Sequence, residues 1–162
     1  MKLTIKDIEF DTKDLTDEQR EQLKAELGKP KRWVPGDNDR YLFIDHHKGI
    51  IDTTWDDDST DRYRLSQGNV FKTREEAKAH IKYLEALAVI KEDAEWWEPD
   101  WGDGDQVKCF AGYLHSNDDF VISSYTYLQT AGPVYFETEE ALRRSLEKHK
   151  TEWLIIFGVK ED

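Results

Sequence analysis

Two acidic stretches hold most of the residues whose spacing could do chemistry. Asp56, Asp57, Asp58 and Asp61 crowd behind Trp55, and Asp100, Asp103 and Asp105 alternate with Trp101 and two glycines. Carboxylates at this density are the ligands that Ca²⁺ and Mg²⁺ use, and an EF-hand loop further needs glycine at its sixth position and a bidentate glutamate at its twelfth. Counted from Asp56, those positions are Asp61 and Gln67; counted from Asp100, they are Asp105 and Ala111. Both runs fail. A looser divalent site among Asp56, Asp57, Asp58 and Asp61 competes with a solvated acidic loop, and the loop is the better account. His46 and His47 are adjacent, so a regular strand would point them to opposite faces, where they could not chelate one ion. His80, His115 and His149 are scattered, and Cys109 is the one cysteine, so the pattern of a structural zinc site is missing. A glycine-rich phosphate loop and a nucleophile elbow are missing too. Acids are so plentiful that naming a general-acid pair would be arbitrary. The expectation is a protein without metal, cofactor or catalytic residues.

What remains is tryptophan beside carboxylate. Tryptophan is enriched at the centres of protein interfaces, and surrounding acids would suit a basic partner. The expected partner-binding set is Trp55, Asp56, Asp57, Asp58 and Asp61 in one stretch, with Trp96, Trp101, Asp103 and Asp105 in the other. Trp33 and Trp97 are assigned instead to the ends of a core. The whole chain points the same way. Its 162 residues carry 23 Lys and Arg against 35 Asp and Glu, a formal charge of −12. That charge disfavours direct contact with nucleic acid, which needs a basic footprint, and disfavours anionic membrane surfaces. It would steer a basic protein partner inward, although solubility alone also accounts for it. A homodimer stays open as an assembly. With one cysteine no internal disulfide can form, which fits a reducing cytosol. The start, Met1-Lys2-Leu3-Thr4-Ile5, has no apolar signal region, and no apolar run approaches a membrane span. The expected location is the cytoplasm.

The elements that must position these residues follow from patterning. Residues 2–11 read as one strand, whose alternation changes phase near Lys6-Asp7 as a bulge would allow. Thr16 and Gln19 form a capping box for a helix that runs to about Leu27 and stops at Gly28. Residues 41–45 and 50–55 make a hairpin across His47-Lys48-Gly49. The acidic segment then leads through Arg62-Tyr63-Arg64-Leu65 to Gly68. Thr73 and Glu76 form a second capping box, opening a helix to about Ala94 with Ala77, Ile81, Leu84, Leu87 and Ala88 on its apolar face. Residues 107–113 and 120–128 make a second hairpin across Ser116-Asn117-Asp118-Asp119. A short extended piece at Val134-Tyr135-Phe136 enters a last helix from about Glu139 to Trp153 or beyond. Leu142, Leu146, Trp153, Leu154 and Phe157 are its apolar candidates, and residues 153–159 could instead finish as a strand.

The chain also matches itself when shifted by about 64 residues. Trp33 meets Trp97, Pro35 meets Pro99, Gly68 meets Gly132, Val70 meets Val134, and Glu75-Glu76-Ala77 meets Glu139-Glu140-Ala141. The expected fold class is α+β: two tandem strand-strand-strand-helix repeats, residues 33–94 and 95–162, behind an N-terminal strand and helix in residues 1–32. The two units would pair their antiparallel sheets and lay their helices on one face, in one compact domain. Shared positions are architectural in the first instance. The two glycines supply backbone angles that other residues avoid, and the paired glutamates suit a helix N-terminus. Function then belongs to what the copies do not share: the acidic run after Trp55, the pair Arg62 and Arg64, and the loop from Trp96 to Asp105.

Three stretches, Trp55-Asp56-Asp57-Asp58-Ser59, Gly68-Asn69-Val70-Phe71-Lys72-Thr73-Arg74-Glu75-Glu76-Ala77 and Trp97-Glu98-Pro99-Asp100-Trp101, give the chain a likeness. It resembles a group of small, largely uncharacterised phage and prophage proteins of bacteria such as Firmicutes. These carry a Gly-Asn-x-Phe-x-Thr-x-Glu-Glu-Ala motif, a helix and a tryptophan-rich loop. The resemblance covers roughly residues 33–141, and the second copy departs from it with Pro133 in place of Asn69. It implies no catalytic or binding residue. It implies a context, a phage accessory protein in a bacterial cell. The functional expectation joins that context to the charge: an anti-CRISPR-like protein whose acidic surface binds and inhibits a host defence factor at its basic nucleic-acid-binding face. The alternatives are a nucleotide-signal sponge, which needs Arg62, Arg64, Lys72 and Arg74 to converge on one pocket, and a structural or assembly protein of the phage particle.

Overall fold

Short polar turns close the hairpins, and a threonine cap, Thr73 or Thr138, starts one helix in each unit. The structure, a computed structural model, describes residues 2–5, 8–11, 33–129 and 134–159. Strands β1 (Lys2–Ile5) and β2 (Ile8–Asp11) pair antiparallel, Leu3 with Phe10 and Ile5 with Ile8. The single bulged strand expected there is thus a hairpin. A phase change in the alternation is also what a chain turning back on itself produces, because cross-strand partners share a face. The helix expected from Thr16 lies outside the described residues.

Strands β3 (Arg40–Ile44) and β4 (Ile50–Thr54) form the hairpin expected of the first unit. Its turn is held by the Asp45 carboxylate, whose Oδ1 accepts from the His47 and Gly49 N–H groups at 2.9 and 2.6 Å. Strands β5 (Lys108–Leu114) and β6 (Asp119–Tyr125) form the second. Each unit keeps its own two-stranded sheet among the described residues, and the two sheets share no ladder. Helices join the units instead.

The segment between β4 and Gly68 is not a loop throughout. Asp58 caps a helix, α1 (Ser59–Ser66), its Oδ1 accepting from the Asp61 N–H at 2.8 Å. The acidic run therefore doubles as a helix start, where a short carboxylate satisfies an otherwise orphan donor. The motif that follows can be read residue by residue. Gly68 adopts φ +79°, a conformation that glycine takes without penalty, and ends α1. The Asn69 amide pairs with the backbone of Ile44, accepting from its N–H and donating to its carbonyl oxygen, both at 2.7 Å. Phe71 makes a two-bond bridge to Leu42 at 2.8 and 2.9 Å. Thr73 and Glu76 close a capping box on α2 (Arg74–Asp93).

The second unit repeats the joint. Phe136 bridges Cys109 at 2.8 and 3.0 Å, and Thr138 caps α3 (Glu139–Lys148) by accepting from the Ala141 N–H. The structural match sets Phe71 against Phe136 and Thr73 against Thr138, one residue on from the register read in the sequence. Gly132 and Pro133 lie outside the described residues. The last helix breaks at His149 and resumes as α4 (Lys150–Ile156), so residues 153–156 are helical rather than a strand. Leu142, Leu146, Trp153 and Leu154 are all buried, as expected.

Helix α2 departs from its expected face. Ala77, Ala86 and Ile90 are its buried residues, while Leu84 and Ala88 are exposed and Ile81 and Leu87 half-buried. Ala77 and Ala86 are nine residues apart, roughly two and a half turns, and so lie on opposite sides of the helix. The first end packs on the β3–β4 hairpin. The other end sends Ile90 and Ala94 into the second unit's core of Cys109, Ala111, Phe136, Leu142, Leu146 and Trp153. The first unit's own core is smaller: Tyr41, Trp55 and Val70, flanked by Trp33, Phe43 and Leu65.

Candidate functional site

The two acidic stretches separate once their geometry is known. In the first, Trp55 is 5% exposed and packs edge-on against Tyr41, with ring centroids 5.8 Å apart. Asp61 is 4% exposed. Its Oδ1 accepts from the Tyr41 hydroxyl at 2.5 Å and its Oδ2 from the Asp56 N–H at 2.8 Å. Arg64 donates to the Tyr41 oxygen at 2.8 Å and lies 3.6 Å over the Phe43 ring. Burial pushes the Asp61 carboxyl up, but the Tyr41 hydrogen bond, the Asp56 N–H and the Arg64 charge outweigh it and hold it below the ordinary carboxylate value. Trp55 and Asp61 are therefore core residues, which corrects their expected place in a binding surface. An indole plugs the end of the small core, and a buried carboxylate is kept charged by directed donors. Asp58 spends its carboxylate on the α1 cap, and Asp57 on a two-point pairing with the Arg62 Nε and Nη2 at 3.0 and 2.8 Å. Arg62 and Arg64 are thus both engaged by partners within the chain.

The second stretch is the exposed one. Helix α2 ends at Asp93, and the turn after it holds Glu95 and Trp96, both left-handed at φ 53° and 54°. For residues with a Cβ this conformation costs about 1–2 kcal/mol each. The N–H groups of Glu95, Trp96 and Trp97 hold the turn by donating to the carbonyl oxygens of Glu92, Lys91 and Ala94, each at 2.9 Å. The reversal carries the Trp96 indole outward, 60% exposed, with the Lys91 ammonium 5.5 Å from its ring centroid. Between residues 95 and 105 the chain holds Glu95, Glu98, Asp100, Asp103 and Asp105 and no Lys or Arg. The loop is shaped by its own acids. Asp100 Oδ1 accepts from the Gly102 N–H at 2.8 Å, and Asp103 Oδ1 from those of Asp105 and Gln106 at 2.9 and 3.2 Å.

Trp101 is half-buried against Tyr135, centroids 5.2 Å apart and edge-on. It is an internal anchor rather than an exposed one, the reverse of its expected part. Beside it lies Lys108, a residue whose role no motif in the sequence signals. It is fully buried, and its ammonium donates to the carbonyl oxygens of Asp103 and Thr126 at 2.8 and 2.9 Å, 5.3 Å from the Trp101 centroid. Lys108 thus straps the loop to the second sheet. Trp97 is half-buried and lines two adjacent grooves. The larger, about 310 Å³, runs between α2, the turn after it and residues 134–135. Tyr83, Leu87 and Lys91 line it from α2. Their four-residue spacing was legible as one helix face, but Leu87 in that face was assigned to the core.

Among the described residues, no group of three or more His, Cys, Asp or Glu is placed to hold a metal ion, and no helix is long and apolar enough to cross a membrane. Comparison with protein families, with curated proteins and with solved structures found no match.

Proposed function

We propose that the protein is a phage-type accessory protein, not an enzyme, that inhibits a host defence factor by binding its basic nucleic-acid-binding face. One observation carries the reading. An exposed tryptophan, Trp96, stands on a strained, internally braced turn within a loop that has five carboxylates and no cation. Backbone strain at a solvent-exposed aromatic supports a binding role, because strained residues cluster at ligand clamps and switch regions. The net charge of −12 extends the same field over the molecule. Acidic fields of this kind accelerate encounter with basic surfaces and compete with nucleic acid for them. The partner-binding set is then Trp96 with Asp103, Asp105 and their loop neighbours, and the exposed Asp56 and Asp57 add to the field without forming an anchored site.

The test is retention of host proteins on the immobilised protein at low salt, followed by elution with rising salt. The expected outcome is a nucleic-acid-binding protein that elutes as salt rises and loses its nucleic acid when this chain is added. Retention of nothing at low salt, or capture insensitive to both salt and amide substitutions at Asp103 and Asp105, would overturn the reading.

A further inference from the structure

The groove beside Trp96 has a composition that a simple hydrophobic slot does not need. Four aromatic side chains, Tyr83, Trp96, Trp97 and Tyr135, line it together with Glu98. Ring faces carry negative potential and attract cations, most strongly those of tryptophan. A carboxylate on the same wall adds to that potential. The groove already shows the preference: Lys91, on its lining, places its ammonium over the Trp96 ring. At about 310 Å³ the groove is at the small end for ligand pockets. It suits one extended side chain better than a nucleotide.

We infer that this groove receives an arginine side chain of the basic partner, whose guanidinium takes over the face of Trp96 that Lys91 now covers. Arginine fits better than lysine because its guanidinium is planar, stacks on rings and is more weakly hydrated. Glu98 supplies the countercharge. Lys91 then acts as an internal competitor that keeps the groove occupied in the free protein. This inference rests on the reading of a basic protein partner and names the group that enters.

Short blocked peptides, glycines around a single arginine, test it against identical peptides bearing citrulline, the neutral isostere, or norleucine. Binding is followed through the indole N–H signals of the full chain by NMR, assigned with single Trp→Phe variants. The arginine peptide should move the Trp96 and Trp97 signals and bind about threefold or more tighter than the citrulline peptide. Trp96→Ala should abolish the effect, Glu98→Gln should weaken it, and Lys91→Gln should strengthen it. Circular dichroism checks that each variant keeps its fold. Equal binding of arginine, citrulline and norleucine overturns the inference, as does an arginine response confined to the loop amides. The two readings fail separately. A captured basic partner that binds Trp96→Ala with full affinity removes the arginine groove and leaves the partner reading intact. An arginine peptide that binds as described, with no host protein retained, does the reverse.

Discussion

Lys108 and Tyr41 occupy the same place in their units, one residue before the strand position that bridges to the third segment. Both are buried, and both spend a polar tip on tying a neighbouring segment of chain to the sheet. Tyr41 reaches Asp61 and Arg64 of α1, and Lys108 reaches the carbonyls of Asp103 and Thr126. Replacing Lys108 with methionine keeps most of the volume but leaves two carbonyl oxygens without their donor. Charge-assisted hydrogen bonds are the stronger kind, so K108M should lose about 2–3 kcal/mol, read as a lower urea midpoint at unchanged slope. Trp101 fluorescence should shift toward solvent in the same variant. The Asp61 carboxyl makes a different prediction. Its pKa in the folded protein is held below the ordinary value of 3.8. Its contribution is therefore fully present above that value and is lost as pH falls through the lower, folded one. Unfolding free energies measured from pH 7 down to pH 2.5 should fall less steeply in D61N than in the wild-type chain below about pH 4, although D61N starts less stable at neutral pH. Equal slopes in that range would show that other carboxylates carry the acid sensitivity.

The joint between sheet and helix shows what a sequence can and cannot display at the scale of elements. That Gly68 to Ala77 turns strand into helix was legible, because the capping box and its echo near Thr138 have local signatures. The means was not. Asn69 stands in for a strand residue by pairing with the backbone of Ile44, far back in the chain, and such a partner leaves no trace in spacing. Helix α1 was hidden for another reason: its apolar residues are few, and its cap, Asp58, sits among identical neighbours. Trp96 in the candidate site was legible through its type and acidic surroundings. Trp55 and Trp101 carry the same signals and are structural, since only the fold decides which indole finds a core. A test of the joint follows from its chemistry. An aspartate at position 69 could still accept from the Ile44 N–H, but it would set a carboxylate against the Ile44 carbonyl where an amide now donates. N69D should cost about 1–3 kcal/mol, with faster hydrogen exchange at Ile44. Asn69→Ala, which removes both bonds without the repulsion, should fall between N69D and the wild-type chain.

On the scale of the whole molecule, one helix makes the two units interdependent. Among the described residues the sheets share no ladder, so α2 carries the coupling, and it does so by burying opposite sides at its two ends. This also explains why its apolar pattern misled: a period-based reading looks for one face, and here the face rotates out of one core and into another. Ile90 is fully buried in the second unit's core, although its helix is started by the first unit's cap. Truncating it leaves a cavity that should cost about 2–4 kcal/mol. If the units unfold as one, that loss must reach residues that never touch Ile90. Hydrogen exchange under native conditions can separate the alternatives, because the slowest amides report the free energy of the unit to which they belong. In I90A the protected amides of β5 and of β3 should speed up by the same factor. Loss of protection in β5 alone would mean that the first unit stands independently and α2 is an extension docked on its neighbour. The shared loss is expected because the first core, built on Tyr41, Trp55 and Val70, is too small to hold a helix of twenty residues whose other end has been released to water.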